Sequence, residues 1–365
     1  MTFTKEDASF MQMALEEAIN IQDRVSPNPR VGAVIVKDNK VISKGAHQKF
    51  GDNHAEINAI ENAEQSVKDA TIYITLEPCS HTGKTPPCTD AIIKNKFKKV
   101  IFAMLDPNPK VSKNNSVQLL QKENIDVSYG LLENEAKEIN QPFIKSIKTG
   151  IPYNTAKWAM TLDGKTNTFS GDSKWITESS TREHVHQIRS IHDAVLVGKN
   201  TFENDDPSLN CRYDITSTQP YRIVMCSNFK EEYLQSKLAL FQDNKTIFIL
   251  KDKPITDFEE KLKEHKIAYI LQKNNLTDSL KQLLSFNIQS ILIEGGSLMM
   301  GSLLDENLID YVYSYIGTKI VGGSGSSPIA GQGIDKMNAA THLLKQNLIS
   351  FNNDICLHGP INFYE

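Results

Sequence analysis

What most limits the folds open to this chain is a pattern in which short apolar runs alternate with helix-like segments, begun once and then begun again. Residues 4–19 open on a Thr cap and carry Phe10, Met11, Ala14, Leu15 and Ala18 at helical spacing. Residues 31–36 form a β-branched apolar run that ends at Lys37-Asp38-Asn39-Lys40, a hairpin turn into Val41-Ile42. Residues 54–64 read as a helix, 71–76 alternate like a strand, and 100–104 read as a buried strand. Around Thr149-Gly150-Ile151-Pro152 the pattern restarts, with strand-like runs at 194–197, 221–225, 246–250, 268–271, 290–293 and 311–316 and helical segments between several of them. Both halves are therefore expected to be α/β, with helices packed on a largely parallel or mixed sheet. A length of 365 residues suits two domains that each bury a core, placed at 1–148 and 149–365. The Gly- and Ser-rich stretch 321–333 reads as the nearest thing to a flexible loop.

Charge and cysteine usage narrow the function classes. The net charge is -4, which offers no basic field for a nucleic-acid backbone. No apolar run reaches the roughly 20 residues that span a bilayer. The first twenty residues carry Glu6, Asp7, Glu16 and Glu17 rather than a basic start followed by an apolar stretch, so no secretory signal is expected and cytoplasmic residence is. Five cysteines are too few, and odd in number, for a disulfide framework. Cys211, Cys226 and Cys356 are scattered and read as plain thiols, whereas Cys79 and Cys88 sit close together.

Those two cysteines and His54-Ala55-Glu56 make the chemistry-bearing constellation. One imidazole and two thiolates suit zinc, and three protein ligands leave a tetrahedral position for water, whose pKa zinc lowers towards ~7. Glu56, two residues after His54, is placed to carry a proton between that water and a leaving amine. Zinc deaminases share this His-x-Glu and later Pro-Cys arrangement, although their two cysteines are usually three positions apart and here they are nine. The intervening Ser80-His81-Thr82-Gly83-Lys84-Thr85-Pro86-Pro87 is too polar and Pro/Gly-rich for a helix and reads as a loop that contacts substrate. A closed structural site, with His47 or His81 as fourth ligand, is the bland alternative, but it leaves Glu56 without a task.

The run 75–88, together with Asn28-Pro29-Arg30-Val31-Gly32-Ala33-Val34 upstream and Asp106-Pro107-Asn108-Pro109 downstream, resembles the bifunctional riboflavin-biosynthesis deaminase/reductase family, in which the nine-residue cysteine step is a feature. The second half is similar to that family too, through Lys157, Thr161-Leu162-Asp163-Gly164-Lys165, Ser173-Lys174-Trp175-Ile176-Thr177, Arg189, 193–198, Thr201, 205–212 and Glu294-Gly295-Gly296-Ser297-Leu298. The resemblance implies a cytidine-deaminase-like three-layer domain followed by a dihydrofolate-reductase-like α/β domain. It implies that His54, Cys79 and Cys88 hold Zn2+ and that Glu56 is the proton shuttle. Asn28, His47, His81, Lys84, Asp106 and Asn108 fall where the family's deaminase contacts a phosphorylated pyrimidine. Ser173, Arg189, Leu209, Arg212 and Glu294 match substrate positions of the reductase, and Ala159, Trp175, Thr201, Asp205 and Ser227 match positions that contact NADPH. One departure follows Asp106-Pro107-Asn108-Pro109, where the family has a glycine-containing stretch and this chain has Lys110-Val111-Ser112-Lys113-Asn114-Asn115. Asn tolerates the left-handed backbone that glycine would supply, though less freely.

The implied reactions are hydrolytic removal of an exocyclic amine from a ribosylated diaminopyrimidinone 5'-phosphate, then hydride transfer from NADPH that converts ribosyl to ribityl. Lys84, a point charge, is expected on the phosphate. Arg189 and Arg212 are also expected to meet a phosphate, bidentately, and Lys157 is expected to act electrostatically beside the reacting sugar. Gly322-Gly323-Ser324-Gly325 lacks the spacing of a dinucleotide turn, so a Rossmann domain is not expected. The family tends to self-associate, which implies a homo-oligomer. Two rivals share parts of this pattern: a nucleic-acid deaminase, disfavoured by the acidic balance, and a non-catalytic module that zinc merely stabilises.

Overall fold

A glycine on each of two neighbouring strands lets helices lie flush on both faces of the first sheet. A side chain on Gly32 would come within 2.0 Å of the Ala14 carbonyl oxygen, and one on Gly45 within 2.3 Å of the Ala59 nitrogen. The computed structural model describes residues 3–21, 23–82, 86–109, 115–212, 218–230, 232–235, 239–241, 243–254, 256–272 and 275–365. They divide into two units, Met1–Gly150 with Tyr364–Glu365, and Ile151–Phe363. The division falls two residues beyond the expected one, and the last two residues belong to the first unit. There Gln141 Nε2 donates to the Tyr364 carbonyl and the Tyr364 N–H donates to Gln141 Oε1, both at 2.8 Å.

In the first unit, β1 (Gly32–Lys37), β2 (Lys40–Ala46), β3 (Thr71–Leu76), β4 (Lys99–Met104) and β5 (Asp126–Tyr129) form one sheet in the order β2-β1-β3-β4-β5. β1 is antiparallel to β2 and β3, while β3, β4 and β5 run parallel. Asp38 and Asn39 both take positive φ, 50° and 59°, the twist that a two-residue hairpin requires. The helices are α1 (Lys5–Ile19), α2 (Ala55–Glu61), α3 (Cys88–Lys94), α4 (Ser116–Lys122), α5 (Glu133–Ile139) and α6 (Gln141–Thr149). Met11, Ala14, Leu15 and Ala18 are the buried stripe of α1, whose start is fixed by a capping box between Thr4 and Asp7. Gly45 pairs with Ala33, the residue after Gly32. Successive strand residues face opposite sides, so α1 and α2 lie on opposite faces and the unit has three layers. The parallel strands β3 and β4 are buried on both faces, which is why they read as continuous apolar runs.

The second unit has nine strands: β6 (Tyr153–Thr161), β7 (Ala194–Gly198), β8 (Tyr221–Cys226), β9 (Thr246–Leu250), β10 (Ala268–Leu271), β11 (Ser290–Ile293), β12 (Tyr311–Gly317), β13 (Asn347–Ser350) and β14 (Ile355–Pro360). Their order is β10-β9-β8-β7-β11-β6-β12-β14-β13. All neighbours pair parallel except β14, antiparallel to both β12 and β13. The helices are α7 (Ser179–Ile191), α8 (Lys199–Asp205), α9 (Glu232–Gln235), α10 (Thr256–Glu264), α11 (Leu276–Gln282) and α12 (Ser297–Asp305). From β6 the chain steps over one position to β7 and proceeds outward to β10, then returns to place β11 in the gap. In such sheets ligands bind beyond the strands' carboxyl ends, at the point where the order reverses. The stretch 321–333 has no helix or strand, yet it is not the loose loop its composition suggested. Its backbone is tied by Gly322 N–H to Asp163 (2.8 Å), Thr166 N–H to the Ser326 carbonyl (2.8 Å) and Ala330 N–H to the Ser297 carbonyl (3.0 Å).

Candidate active sites

In the first unit, helix starts deliver two of the three candidate metal-binding side chains. His54 is the N-cap of α2, Cys88 is the first residue of α3, and Cys79 lies in the loop that leaves β3. Their donor atoms all lie within 4.8 Å of one another. His54 Nδ1 is 3.2 Å from Cys88 Sγ and 3.5 Å from Cys79 Sγ, and the Cys88 N–H donates to Cys79 Sγ at 3.3 Å. Tetrahedral zinc, with its ordinary bond lengths, would set nitrogen and sulfur about 3.6 Å apart and two sulfurs about 3.8 Å apart. The donor set and its spacing therefore fit that ion. Hydrogen bonding from Cys88 and the neighbouring His54 pull the Cys79 thiol well below its usual range, while sharing a proton with Cys79 and burial push Cys88 up.

Glu56, 3 % exposed, stands one residue into α2 beside these sulfurs. Burial, then the negative Cys79 sulfur, push its carboxyl up to about 7. Among the described residues no fourth ligand joins the cluster. Both ring nitrogens of His47 are already engaged, Nδ1 with the Asn53 carbonyl and Nε2 with Asn28 Nδ2, each at 2.9 Å. Since Asn53 offers only an acceptor, Nδ1 carries the proton and Nε2 accepts from Asn28. Burial lowers the pKa of His47 from its ordinary value. The His47 and His54 rings meet edge to face at 5.5 Å. His81 is no ligand either, and its Nδ1 and the Ser80 Oγ are buried without a hydrogen-bond partner.

Asp106 and Asn108 follow β4, where Asp106 Oδ1 accepts the Asn108 N–H at 2.8 Å. Burial raises the Asp106 carboxyl to about 6, with Glu77 and Cys79 adding to the rise. Lys84 and most of the divergent stretch, residues 110–114, lie outside the described residues. Asn115 is described and does take the left-handed backbone, φ 47°, as N-cap of α4. Sequence reasoning missed Glu77, which sits inside the quoted motif but whose partners are 29 and 39 residues away.

In the second unit several candidate residues lie just past the carboxyl ends of parallel strands, Thr201 after β7, Ser227 after β8 and Glu294 after β11. Glu294 directly follows β11, and Lys157 lies beside it on β6. Arg189, on α7, donates to Glu294 from Nε at 2.5 Å and from Nη2 at 3.1 Å, and Lys157 Nζ lies 3.5 Å from Glu294. Burial alone would raise the Glu294 carboxyl, but Arg189 and Lys157 outweigh it and hold it at about 2. The paired Nε and Nη2 donors of Arg189, expected on a phosphate, meet Glu294 in this structure. The third direction of the guanidinium reaches the Asn210 carbonyl at 3.1 Å and so fixes the turn after Leu209. Arg212 remains exposed, 3.3 Å from His186 Nε2. Ala159 lies on β6, Thr201 in the first turn of α8, Asp205 at its end, and Ser227 just beyond β8. Lys174, next to Ser173, comes within 4.0 Å of Asp205. The Trp175 ring, 58 % exposed, has Arg182 stacked over it at 4.4 Å.

Two family models match the chain. Residues 4–104 match the cytidine and deoxycytidylate deaminase zinc-binding region, and residues 152–357 match the RibD C-terminal domain. The riboflavin biosynthesis protein RibD of Aquifex aeolicus is 40% identical over 352 residues, 96% of this chain and 97% of that protein. The RibD protein of Escherichia coli is 34% identical over 365 residues, 97% and 99% of the two chains. Among solved structures, Acinetobacter baumannii RibD superposes with a TM-score of 0.88 at 35% identity, over 98% of this chain and 99% of that one. The Thermotoga maritima diaminohydroxyphosphoribosylaminopyrimidine deaminase/5-amino-6-(5-phosphoribosylamino)uracil reductase does so with a TM-score of 0.85 at 35% identity, over 97% and 98%.

Proposed function

This chain belongs to the RibD family of riboflavin biosynthesis, and from that premise we propose how its residues divide the work. The enzyme is bifunctional, a zinc-dependent deaminase joined to an NADPH-dependent reductase that together process a small phosphorylated pyrimidine. The deaminase removes an exocyclic amine from the ribosylated diaminopyrimidinone 5'-phosphate by hydrolysis, and the reductase converts the ribosyl chain to ribityl.

His54, Cys79 and Cys88 would hold the zinc, which would supply the Lewis acidity that makes water a nucleophile near neutral pH. Glu56 would carry a proton from the attacking water to the departing amine. Burial raises its carboxyl to about 7, and a bound dication beside it would favour the ionised form that a base needs. His47 holds the Asn28 amide by one N–H, leaving its carbonyl oxygen and second N–H for the pyrimidine edge. The orphaned His81 Nδ1 and Ser80 Oγ gain partners when a polar ring enters, which offsets about 1–3 kcal/mol of desolvation each. Asp106 and Asn108 complete the pyrimidine contacts, and Lys84 meets the phosphate.

In the second unit, NADPH supplies the hydride and the protein orients the two partners. Lys157, held between Glu294 and the face of Tyr315 (5.8 Å), presents its ammonium to the reacting sugar. Glu294, Ser173, Leu209 and Arg212 bind the substrate, with Arg212 on its phosphate and Arg189 fixing Glu294 in place. Ala159, Trp175, Thr201, Asp205 and Ser227 contact the cofactor.

Among the described residues no helix is long and apolar enough to cross a membrane, and cytoplasmic residence is the reading we favour. A homo-oligomer is favoured by the hairpin β13–β14, whose outer face shows Leu348 and Leu357 paired across the strands and exposed, with Ile355 beside them. Sedimentation velocity tests it, and a monomer at micromolar concentration contradicts it.

The single observation that carries the deaminase assignment is the convergence of His54, Cys79 and Cys88 beside the buried Glu56. Supplying the diaminopyrimidinone phosphate with and without NADPH, while following ammonia and nicotinamide absorbance, tests both halves. Ammonia release without NADPH, and NADPH oxidation only after it, are expected; NADPH oxidation with no ammonia would remove the deaminase.

A further inference from the structure

Glu77 is buried, 5 % exposed, and has no part in the chemistry above. It stands between the last residue of β3 and Pro78, two positions before the zinc ligand Cys79. Its backbone N–H donates to the Met104 carbonyl at 2.9 Å, which continues the β3–β4 pairing one residue past the end of β3. Its carboxylate then receives two hydrogen bonds, one on each oxygen. The Asp106 N–H donates to Oε2 at 3.2 Å, and the fully buried Ser116 hydroxyl donates to Oε1 at 2.6 Å. Asp106, two residues past β4, and Ser116, the first residue of α4, are thus both fastened to one side chain.

We propose that Glu77 is a positioning residue for the deaminase, a clamp that sets Asp106 and Asn108 at a fixed place relative to the zinc ligands. The inference rests on the reading that Asp106 and Asn108 touch the pyrimidine. Pro78 makes the link short and stiff, because proline fixes its own φ and confines the residue before it to extended backbone. Asp106 in turn holds Asn108 through Oδ1, so the clamp reaches both residues. The carboxylate accepts at both oxygens, and an amide in its place keeps both links only if the Ser116 hydroxyl turns from donor to acceptor.

The test is steady-state deaminase kinetics of the full-length zinc enzyme with Glu77→Ala, Glu77→Gln, Ser116→Ala and Asp106→Ala. E77A removes both acceptors and should raise KM for the pyrimidine about tenfold or more while kcat changes by less than about threefold, the pattern of lost uniform binding. Zinc content, and NADPH oxidation with the deaminated substrate, should stay at wild-type levels. S116A alone should change KM by less than about threefold, because the Asp106 bond survives. E77Q should bring KM back to within about threefold of wild type, since the amide oxygen accepts the Asp106 N–H and the Ser116 hydroxyl can accept from the amide NH2. A merely structural role predicts no such split between KM and kcat. Glu77→Asp, which keeps both acceptors but retracts them by one methylene, is the second variant if E77A folds poorly, and it should raise KM in the same direction. An unchanged KM in E77A beside a raised KM in D106A overturns the clamp. Unchanged KM in D106A overturns instead the assignment of Asp106 to the substrate, and the clamp with it. A fall in kcat that tracks lost zinc also overturns it, assigning Glu77 to the metal site.

Discussion

The zinc triad of the first unit and the Lys157–Arg189–Glu294 cluster of the second both use residues at or beyond the ends of buried strands, but they solve the problem of burying polar groups differently. The triad gathers one imidazole and two thiols within a span of 34 residues, and helix starts deliver two of the three. Its groups would need no further compensating charge once zinc is bound, because deprotonated sulfurs and a dication balance one another. The second cluster buries a full carboxylate between two cations drawn from 105 and 137 residues away. There the protein itself supplies the neutralisation, so the pair holds the unit's fold as well as its site. Removing a partner from the triad should therefore silence chemistry, whereas removing one from the cluster should also cost stability.

The sharpest break of that contrast is Glu56→Gln. Losing a positioned proton carrier should lower deaminase kcat on the order of a thousandfold while NADPH oxidation with the deaminated substrate stays within about twofold. If both activities fell together, the two sites would not be separable. Next comes Glu294→Leu, which strands Lys157 and Arg189 without their buried acid and should destabilise the second unit by about 3 kcal/mol. Both tryptophans, Trp158 and Trp175, lie in that unit, so fluorescence-detected unfolding in denaturant reports it alone. An unchanged midpoint would remove the structural half of the contrast.

A smaller effect should appear with pH. The Glu294 carboxyl lies below its usual 4.5, at about 2. Its contribution to stability is therefore complete above the unfolded-state value and is lost as pH falls through about 2. Unfolding followed at about pH 6 and about pH 3 should show a loss of roughly 1–2 kcal/mol that the Glu294→Leu variant lacks. Equal losses in both proteins would assign the acid sensitivity elsewhere. The smallest change is Thr4→Ala, which removes the capping box of α1 and should cost about 1 kcal/mol in the first unit only.

The same contrast explains what was legible in the sequence. Coordination chemistry tolerates few residue types, so His54, Glu56, Cys79 and Cys88 stood out, and strands buried on both faces, such as β4 and β7, read as unbroken apolar runs. β6 did not, because Asn154, Thr155 and Lys157 interrupt it. Each meets a residue far along the chain: the Asn154 side-chain NH2 the Leu308 carbonyl and its backbone N–H Asp310, Thr155 His192, Lys157 Glu294. The hairpin β13–β14 escaped notice because only one of its faces is covered, leaving Leu348 and Leu357 to solvent. The pairing of Arg189 with Glu294 was not legible, because a lone arginine carries no sign of its partner. Glu77 was hidden for the same reason, as its role depends on Asp106 and Ser116.

Anomalous diffraction at the zinc edge, from crystals of the purified full-length protein, bears most directly on all of this. One zinc per chain should appear, bonded to His54, Cys79 and Cys88, with solvent in the fourth position and the Glu56 carboxylate within hydrogen-bonding reach of it. A fourth side chain on the metal, or no zinc peak among these three residues, would contradict the account.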